Sequence, residues 1–297
     1  MGRIKVTILV LVILGILTYY NLTFPESEVS RGIVNKSVSW KKLVLIVSTW
    51  RSGSTTVTSV LNSLPEVFLQ SEPIPNELVP SWNTNISWNT NIIQERITRV
   101  TDEILRCRYD TVSKQVPMNM FHLNNENVNV TLLSERCLKF PVQVVKYVRV
   151  KLDHVTHYLK GDARVKLIWL VRDPRGVWDS RNKHGWCMQS SPCNNFDQLC
   201  HVYTDNLVTS KKLLESYPSQ FTILRWEEMV EDRTGTLNRL VNFIGLDNPQ
   251  PMFSELERIN AAQPLNGSMS WREKSNQVEN TRIETVLKAP MEELGYL

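Results

Sequence analysis

The sequence predicts a single α/β domain: a central, mostly parallel sheet flanked by helices, entered through a P-loop-like strand–loop–helix unit and preceded by an N-terminal transmembrane helix. Three observations predict it. Continuous apolar, β-branched runs at Leu43–Val47 and Val165–Val171, with a shorter one at Phe221–Leu224, mark strands buried on both faces. Helix-compatible stretches follow these runs, the alternation a parallel sheet requires. A small, glycine-containing segment, Ser48–Thr56, joins the first strand to its helix.

The N-terminal element comes first in the chain. Arg3 and Lys5 precede the uncharged stretch Val6–Tyr20, continued by Leu22 and Phe24. Roughly 15 to 20 residues rise about 22 to 30 Å as a helix, enough to cross a bilayer. A cleaved signal peptide is the main alternative. However, Tyr19, Tyr20, Asn21 and Leu22 supply no small-residue cleavage site, and the tyrosines suit a membrane interface. Positive charge on the short leading side keeps that end cytosolic. The expected organisation is a cytosolic tail over 1–5, a signal anchor over 6–24, a polar stem over 25–40 and a lumenal domain over 41–297.

Within that domain, Leu43–Val47 is the central strand and a helix from about Thr55 to Leu64 is ended by Pro65. Val67–Gln70 is a second short strand. Pro73, Pro75 and Pro80, then Trp82–Asn91, form a long surface excursion, and Ile92–Leu105 is helical. Thr111–Asn129 is irregular. Val142–Leu159 is Val-rich and is expected to run as strand then helix. After Phe221–Leu224, a helical pattern around Leu237–Ile244 is closed by Gly245.

Bulk composition narrows the partners. With 297 residues and 42% hydrophobic residues spread along the chain, a sizeable core forms and disorder is excluded. A net charge of +4 suits an anionic ligand but falls short of a nucleic-acid signature. Five cysteines agree with an oxidising compartment. Cys187 and Cys193 are close enough to close a small loop, with Cys200 nearby and Cys107 and Cys137 upstream. The pairing stays open, the odd count leaves a thiol over, and no C-x-x-C pair suggests zinc. Sequons stand at Asn21, Asn35, Asn85, Asn129 and Asn266.

The stretch Ser48–Thr56 carries the chemistry. A buried strand turning through a small loop into a helix presents free backbone N–H groups at the positive helix end, a site for phosphate or sulfate. No Lys follows Gly53, so the Walker A pattern of ATP chemistry is absent; Arg51 stands before the glycine instead. A second constellation, Arg172–Arg181, follows Val165–Val171. Asp173 suits an N-cap and Pro174 the first helical turn, which brings Arg172 and Ser180 toward one anion at the carboxyl end of the sheet. The competing view is a surface ion-pair cluster of Arg172, Asp173 and Arg175.

Trp50–Thr56 resembles the 5′-phosphosulfate loop of sulfotransferases, and Leu170–Arg181 resembles their 3′-phosphate motif. The Arg-Ser-Gly-Ser and Val-Arg-Asp-Pro-Arg forms are similar to the membrane-bound carbohydrate sulfotransferases, in particular the galactose/N-acetylglucosamine/N-acetylgalactosamine 6-O group. Ser71-Glu72-Pro73, Leu224–Met229, Trp271-Arg272 and Leu294-Gly295-Tyr296 add to the match, which runs from Leu43 to the C-terminus and is weakest between Ser81 and Ser134. Thr55 and Ser71 depart from the family pattern.

That resemblance implies a P-loop-like sulfotransferase domain using 3′-phosphoadenosine 5′-phosphosulfate (PAPS) as donor without a metal. Arg51 would neutralise the 5′-phosphosulfate, and Ser52, Gly53, Ser54, Thr55 and Thr56 would supply N–H and hydroxyl donors. Arg172 and Ser180 would hold the 3′-phosphate, with Arg181 a weaker candidate, and Trp271 and Arg272 would close over the nucleotide. Glu72 is the candidate base for the attacking hydroxyl and His184 its rival. His154 and His157 are expected on a helix surface, and Arg225 and Glu227 in structural ion pairs. The implied partners are a glycan or proteoglycan acceptor, attacking through a hydroxyl read as the 6-hydroxyl, and the Golgi membrane, with a homodimer as one assembly. Protein-tyrosine sulfation and a silent lumenal protein keeping the fold are the alternatives.

Overall fold

The computed structural model describes residues 41–74, 91–113, 129–189 and 193–297. Five strands, β1 (Lys42–Val47), β2 (Val67–Ser71), β3 (Val142–Tyr147), β4 (Val165–Val171) and β5 (Phe221–Arg225), form one sheet in the order β2-β3-β1-β4-β5. Every pairing is parallel. β1 lies at the centre, with Ile46 opposite Lys146 of β3 and Ile168 of β4. That position explains its unbroken apolar run, since both faces are covered and Leu43 to Val47 are fully buried.

The helices in chain order are α1 (Ser54–Asn62), α2 (Asn91–Leu105), α3 (Val130–Leu138), α4 (Pro174–Asn182), α5 (Phe196–Ser216), α6 (Trp226–Glu231), α7 (Arg233–Ile244), α8 (Gln250–Ala262), α9 (Gln277–Val286) and α10 (Lys288–Glu293), with shorter turns between them. Val57, Val60 and Leu61 of α1 recur at helical spacing and pack with Val44 and Ile46 of β1 and with Leu237, Leu240, Val241 and Ile244 of α7. Truncating one such leucine costs about 2–5 kcal/mol. α7 ends where Gly245 takes the left-handed conformation at φ 73°.

The chain leaves β1 toward β2 on one side and leaves β4 toward β5 on the other. The loops after these two neighbours therefore diverge, opening a crevice at their carboxyl ends where ligands bind in open α/β sheets. Both sequence constellations lie there.

One element differs from expectation. After β3, the segment to Leu159 forms two short 3-10 turns, Leu152–His154 and Thr156–Leu159, rather than an α-helix. Side chains capture the backbone groups a helix would use: His154 Nδ1 accepts from Lys151 N–H, Asn206 Oδ1 accepts from Leu152 N–H, and Gln94 donates to the His154 carbonyl. As a result His154 is buried and His157 half-buried, neither on a solvent-facing helix.

Disulfides join Cys107 to Cys137 and Cys187 to Cys193, leaving Cys200 as a buried thiol. Among the described residues no helix is long and apolar enough to cross a membrane. The expected anchor over 6–24 and stem over 25–40 lie outside the described residues, as do residues 75–90 of the surface excursion and 114–128 of the irregular segment.

Candidate active site

β1 delivers the first loop to the crevice. Ser48 Oγ donates to the Leu170 carbonyl at 3.0 Å, fixing the end of β1 against β4. Arg51 at φ 72° and Gly53 at φ 85° then turn the chain sharply into α1. A left-handed Arg costs about 1–2 kcal/mol, and such strain collects at functional sites. Along α1 the first backbone bond runs from Val57 N–H to the Gly53 carbonyl, and no side chain caps the helix. The N–H groups of Gly53 to Thr56 thus face the positive end of the helix without an intrahelical acceptor. Beneath them the buried Ser52 hydroxyl has no partner.

β4 delivers the second motif. Asp173 caps α4 by accepting from Arg175 N–H at 2.9 Å, with Pro174 in the first turn. Arg175 pairs with Asp173 at 2.7 Å and with Glu284 at 2.6 Å. The ion-pair cluster therefore exists without Arg172, which turns into the crevice. Arg172 donates to the carbonyls of Arg51, at 2.9 Å, and Ser268, while its buried Nε has no partner.

The two motifs meet at Arg51. Its Nε donates to Ser180 Oγ of α4 at 3.0 Å, and its Nη2 contacts His184 Nε2. Guanidinium only donates, so His184 Nε2 accepts and the imidazole is neutral with its proton on Nδ1. Burial, then Arg51, pulls the His184 pKa below its usual value, in agreement. Burial likewise lowers the Arg51 pKa, and the neighbouring Arg172 charge lowers it further; burial also lowers that of Arg172, which Glu227 partly offsets. Neither guanidinium forms a salt bridge among the described residues. A half-buried and a buried guanidinium, beside helix N–H groups without intrahelical acceptors, make a site suited to an anion.

These groups line a cleft of about 570 Å³, walled opposite by Trp226 and by Ile259, Leu265 and Ser268. Glu72 lies to one side, at the end of β2 with φ 56°. Its carboxylate accepts from Lys146 Nζ at 2.9 Å and Arg149 Nη1 at 2.8 Å. Arg149 also lies 5.1 Å over the Trp50 ring, linking Glu72 to the first loop. Among the described residues no group of three or more His, Cys, Asp or Glu side chains is gathered to hold a metal.

The family profile described as Sulfotransferase family matches residues 44–250, which contain both loops and Glu72. The chain belongs to the sulfotransferase family. It is 21% identical to Carbohydrate sulfotransferase 4 of Mus musculus over 92% of this chain and 87% of that protein. Carbohydrate sulfotransferase 6 of Homo sapiens is 20% identical, with 85% and 80% covered, and Carbohydrate sulfotransferase 1 of Danio rerio is 23% identical, with 88% and 79% covered. Among solved structures, the sulfotransferase domain from the Synechococcus PCC 7002 olefin synthase superposes with a TM-score of 0.47 at 17% identity, covering 82% of this chain and 91% of that one.

The other sulfotransferase candidates fall elsewhere. Trp271 is buried with its Nε1 against Gly176, where an added Cβ would come within 2.5 Å, and Arg175 covers its ring at 5.1 Å. Arg272 stands exposed near Glu231 at 3.6 Å. Neither lines the cleft. Arg181 is wholly buried and braces the loops, donating to the carbonyls of Cys193, at 3.0 Å, and Trp50, at 3.4 Å, and to Thr49 Oγ1. Burial lowers its pKa to about 10. Arg225 and Glu227 do not pair as expected. Arg225 stacks over Tyr296 at 4.6 Å, and buried Glu227 accepts from Asp173 N–H, at 2.9 Å, and the Tyr296 hydroxyl, at 3.1 Å.

Sequence reasoning missed the far wall, Ile259 to Ser270, and the floor formed by Trp226. The wall is the end of α8 and the irregular turn after it, and its approach to the cleft is a tertiary fact. Trp226 carried one signal: it follows a buried strand directly, at the carboxyl end where ligands gather. Lys146 was also legible, as a lone cation inside the Val-rich run of β3.

Proposed function

We propose that this protein transfers a sulfuryl group from 3′-phosphoadenosine 5′-phosphosulfate to a hydroxyl, the 6-hydroxyl, of a sugar in a glycan or proteoglycan chain. The observation that carries the proposal is the junction of Arg51, Ser180 and Arg172, where two anion-binding motifs from different strands share one cleft. The cleft residues fit such a donor. Its sulfate-bearing end meets the α1 N–H groups and Arg51, and its 3′-phosphate end meets Arg172 and Ser180. The sugar acceptor is supported by the names of the relatives, all carbohydrate sulfotransferases.

In the reaction the acceptor oxygen bonds to sulfur as the bridging S–O bond breaks, and the acceptor proton must leave. Charge spreads over non-bridging and bridging oxygens, as in phosphoryl transfer, so positioning and charge stabilisation dominate. Arg51 and the helix N–H groups serve that charge. Glu72 takes the proton, its carboxylate held by Lys146 and by Arg149, which also covers the Trp50 ring of the first loop. His184, in contact with Arg51, is the second base to test. The Golgi membrane, with residues 6–24 as anchor and 41–297 lumenal, is the proposed setting.

The test incubates the full-length chain with labelled donor and chondroitin, keratan and N-glycan acceptors beside a tyrosine peptide, mapping the product by mass spectrometry. Sulfate on a sugar hydroxyl is expected. Label on the peptide alone would replace this proposal with tyrosine sulfation, and no label anywhere with intact donor binding would make the protein a silent binder.

A further inference from the structure

We propose that Trp186 is the platform on which one pyranose ring of the acceptor lies as its hydroxyl enters the cleft. The inference rests on the glycan-directed function above. The turn Gly185–Met188 follows His184, which lines the cleft and contacts Arg51. Trp186 is 51% exposed and Met188 46%, whereas Trp50, Trp169, Trp178, Trp226 and Trp271 are all buried. A large aromatic surface exposed two residues from a cleft-lining side chain is placed to hold a ligand that enters the cleft.

The exposure does not come from a loose turn. Cys187 and Cys193 are bridged, fully buried, and packed with Trp50 and Val148. The His184 carbonyl accepts from the N–H groups of Cys187, at 2.9 Å, and Met188, at 3.0 Å. Arg181 grips the Cys193 carbonyl with one nitrogen and Thr49 Oγ1 with another, so disulfide and first loop are fixed to each other. The indole is thus carried on a backbone registered to the anion site. At Gly185, between His184 and Trp186, an added Cβ would meet nothing within 4 Å, so the chain between cleft and indole is itself uncovered.

A pyranose suits this surface. One face of the ring presents C–H groups and little else, and its hydroxyls project from the rim. An indole covers the apolar face while leaving the hydroxyls free, one of them to point toward the cleft. Rigid aromatic contact of this kind holds a ligand with small entropic loss because two χ angles set the whole side chain.

The experiment measures steady-state kinetics of the full-length chain with the glycan that the wild type sulfates best. Trp186→Ala is expected to raise the acceptor KM about tenfold, equivalent to 1.4 kcal/mol, and Trp186→Phe to recover most of it. The donor KM and the Kd for adenosine 3′,5′-bisphosphate should stay within about twofold, which also shows that the variant is folded. An unchanged acceptor KM overturns the platform. So does a rise in donor KM, which would make the indole a nucleotide contact, or conversion of a dimer to a monomer in sedimentation, which would make it an interface between copies. A wild type that sulfates no glycan defeats the proposed function itself, a separate and distinguishable failure.

Discussion

Gly53 is where the loop conformation and the cleft floor constrain one atom. Replacing it with alanine keeps the loop polar character but adds a methyl at φ 85°. That methyl would lie 2.5 Å from Cδ2 and 2.6 Å from Cζ3 of Trp226, and nearer still to Cε3. The indole cannot slide away freely, because its Nε1 donates to Ser268 Oγ at 2.9 Å and the ring is buried. A left-handed alanine costs about 1–2 kcal/mol, and overpacking a core costs about 1–3 kcal/mol. Together they predict a loss of about 2–5 kcal/mol and a drop in Tm of about 4–20 °C for a domain of this size. Gly161 supplies the control: its φ is 77°, but an added Cβ meets nothing within 4 Å. Gly161→Ala should therefore lose only the backbone share, about 1–2 kcal/mol. Thermal unfolding of both full-length variants, with adenosine 3′,5′-bisphosphate binding measured in parallel, makes the comparison. Equal Tm losses would refute the argument that Trp226 packs under the loop.

Two further predictions concern charge. Glu72→Gln is expected to lower kcat by about a hundredfold while donor affinity holds, the signature of a lost general base; a variant with wild-type turnover would pass that role to His184. His157 is half-buried with its Nε2 unpartnered, and burial brings its pKa down to about 4 from 6.5. Because the folded state resists protonating it, its contribution is full above pH 6.5 and about 3 kcal/mol is lost as pH falls to 4. Asp102, raised by burial to about 6, acts oppositely, gaining stability over nearly the same descent. His157→Asn should then become about 3 kcal/mol more stable relative to wild type between pH 7 and pH 4 in urea unfolding. A pH-independent difference would show that His157 is not held neutral.

How much was legible follows from how local each signal is. Two strands read from continuous apolar runs, Leu43–Val47 and Val165–Val171, lie inside the sheet, where burial on both faces leaves one composition; Phe221–Leu224 reads the same way but forms the edge strand β5, which is only partly buried. The cleft candidates on the two loops were readable because a strand–loop–helix turn creates its own donors, whatever surrounds it. Long-range partners were not readable. Nothing near Arg181 in sequence says that Thr49 and the Cys193 carbonyl would consume its donors, and nothing near Trp271 announces Gly176 as its seat. His154 and His157 were misplaced for the same reason: Asn206 and Gln94, far along the chain, take the backbone groups a helix needed.

Sulfuryl transfer at this site requires one cleft to grip both ends of one nucleotide. Titration calorimetry of the full-length chain with adenosine 3′,5′-bisphosphate, adenosine 5′-monophosphate and adenosine 3′-monophosphate measures that grip directly. One bisphosphate per chain is expected, bound at least a hundredfold more tightly than either monophosphate, roughly 3 kcal/mol. Monophosphates that bind as tightly as the bisphosphate, or two nucleotides bound per chain, would contradict it.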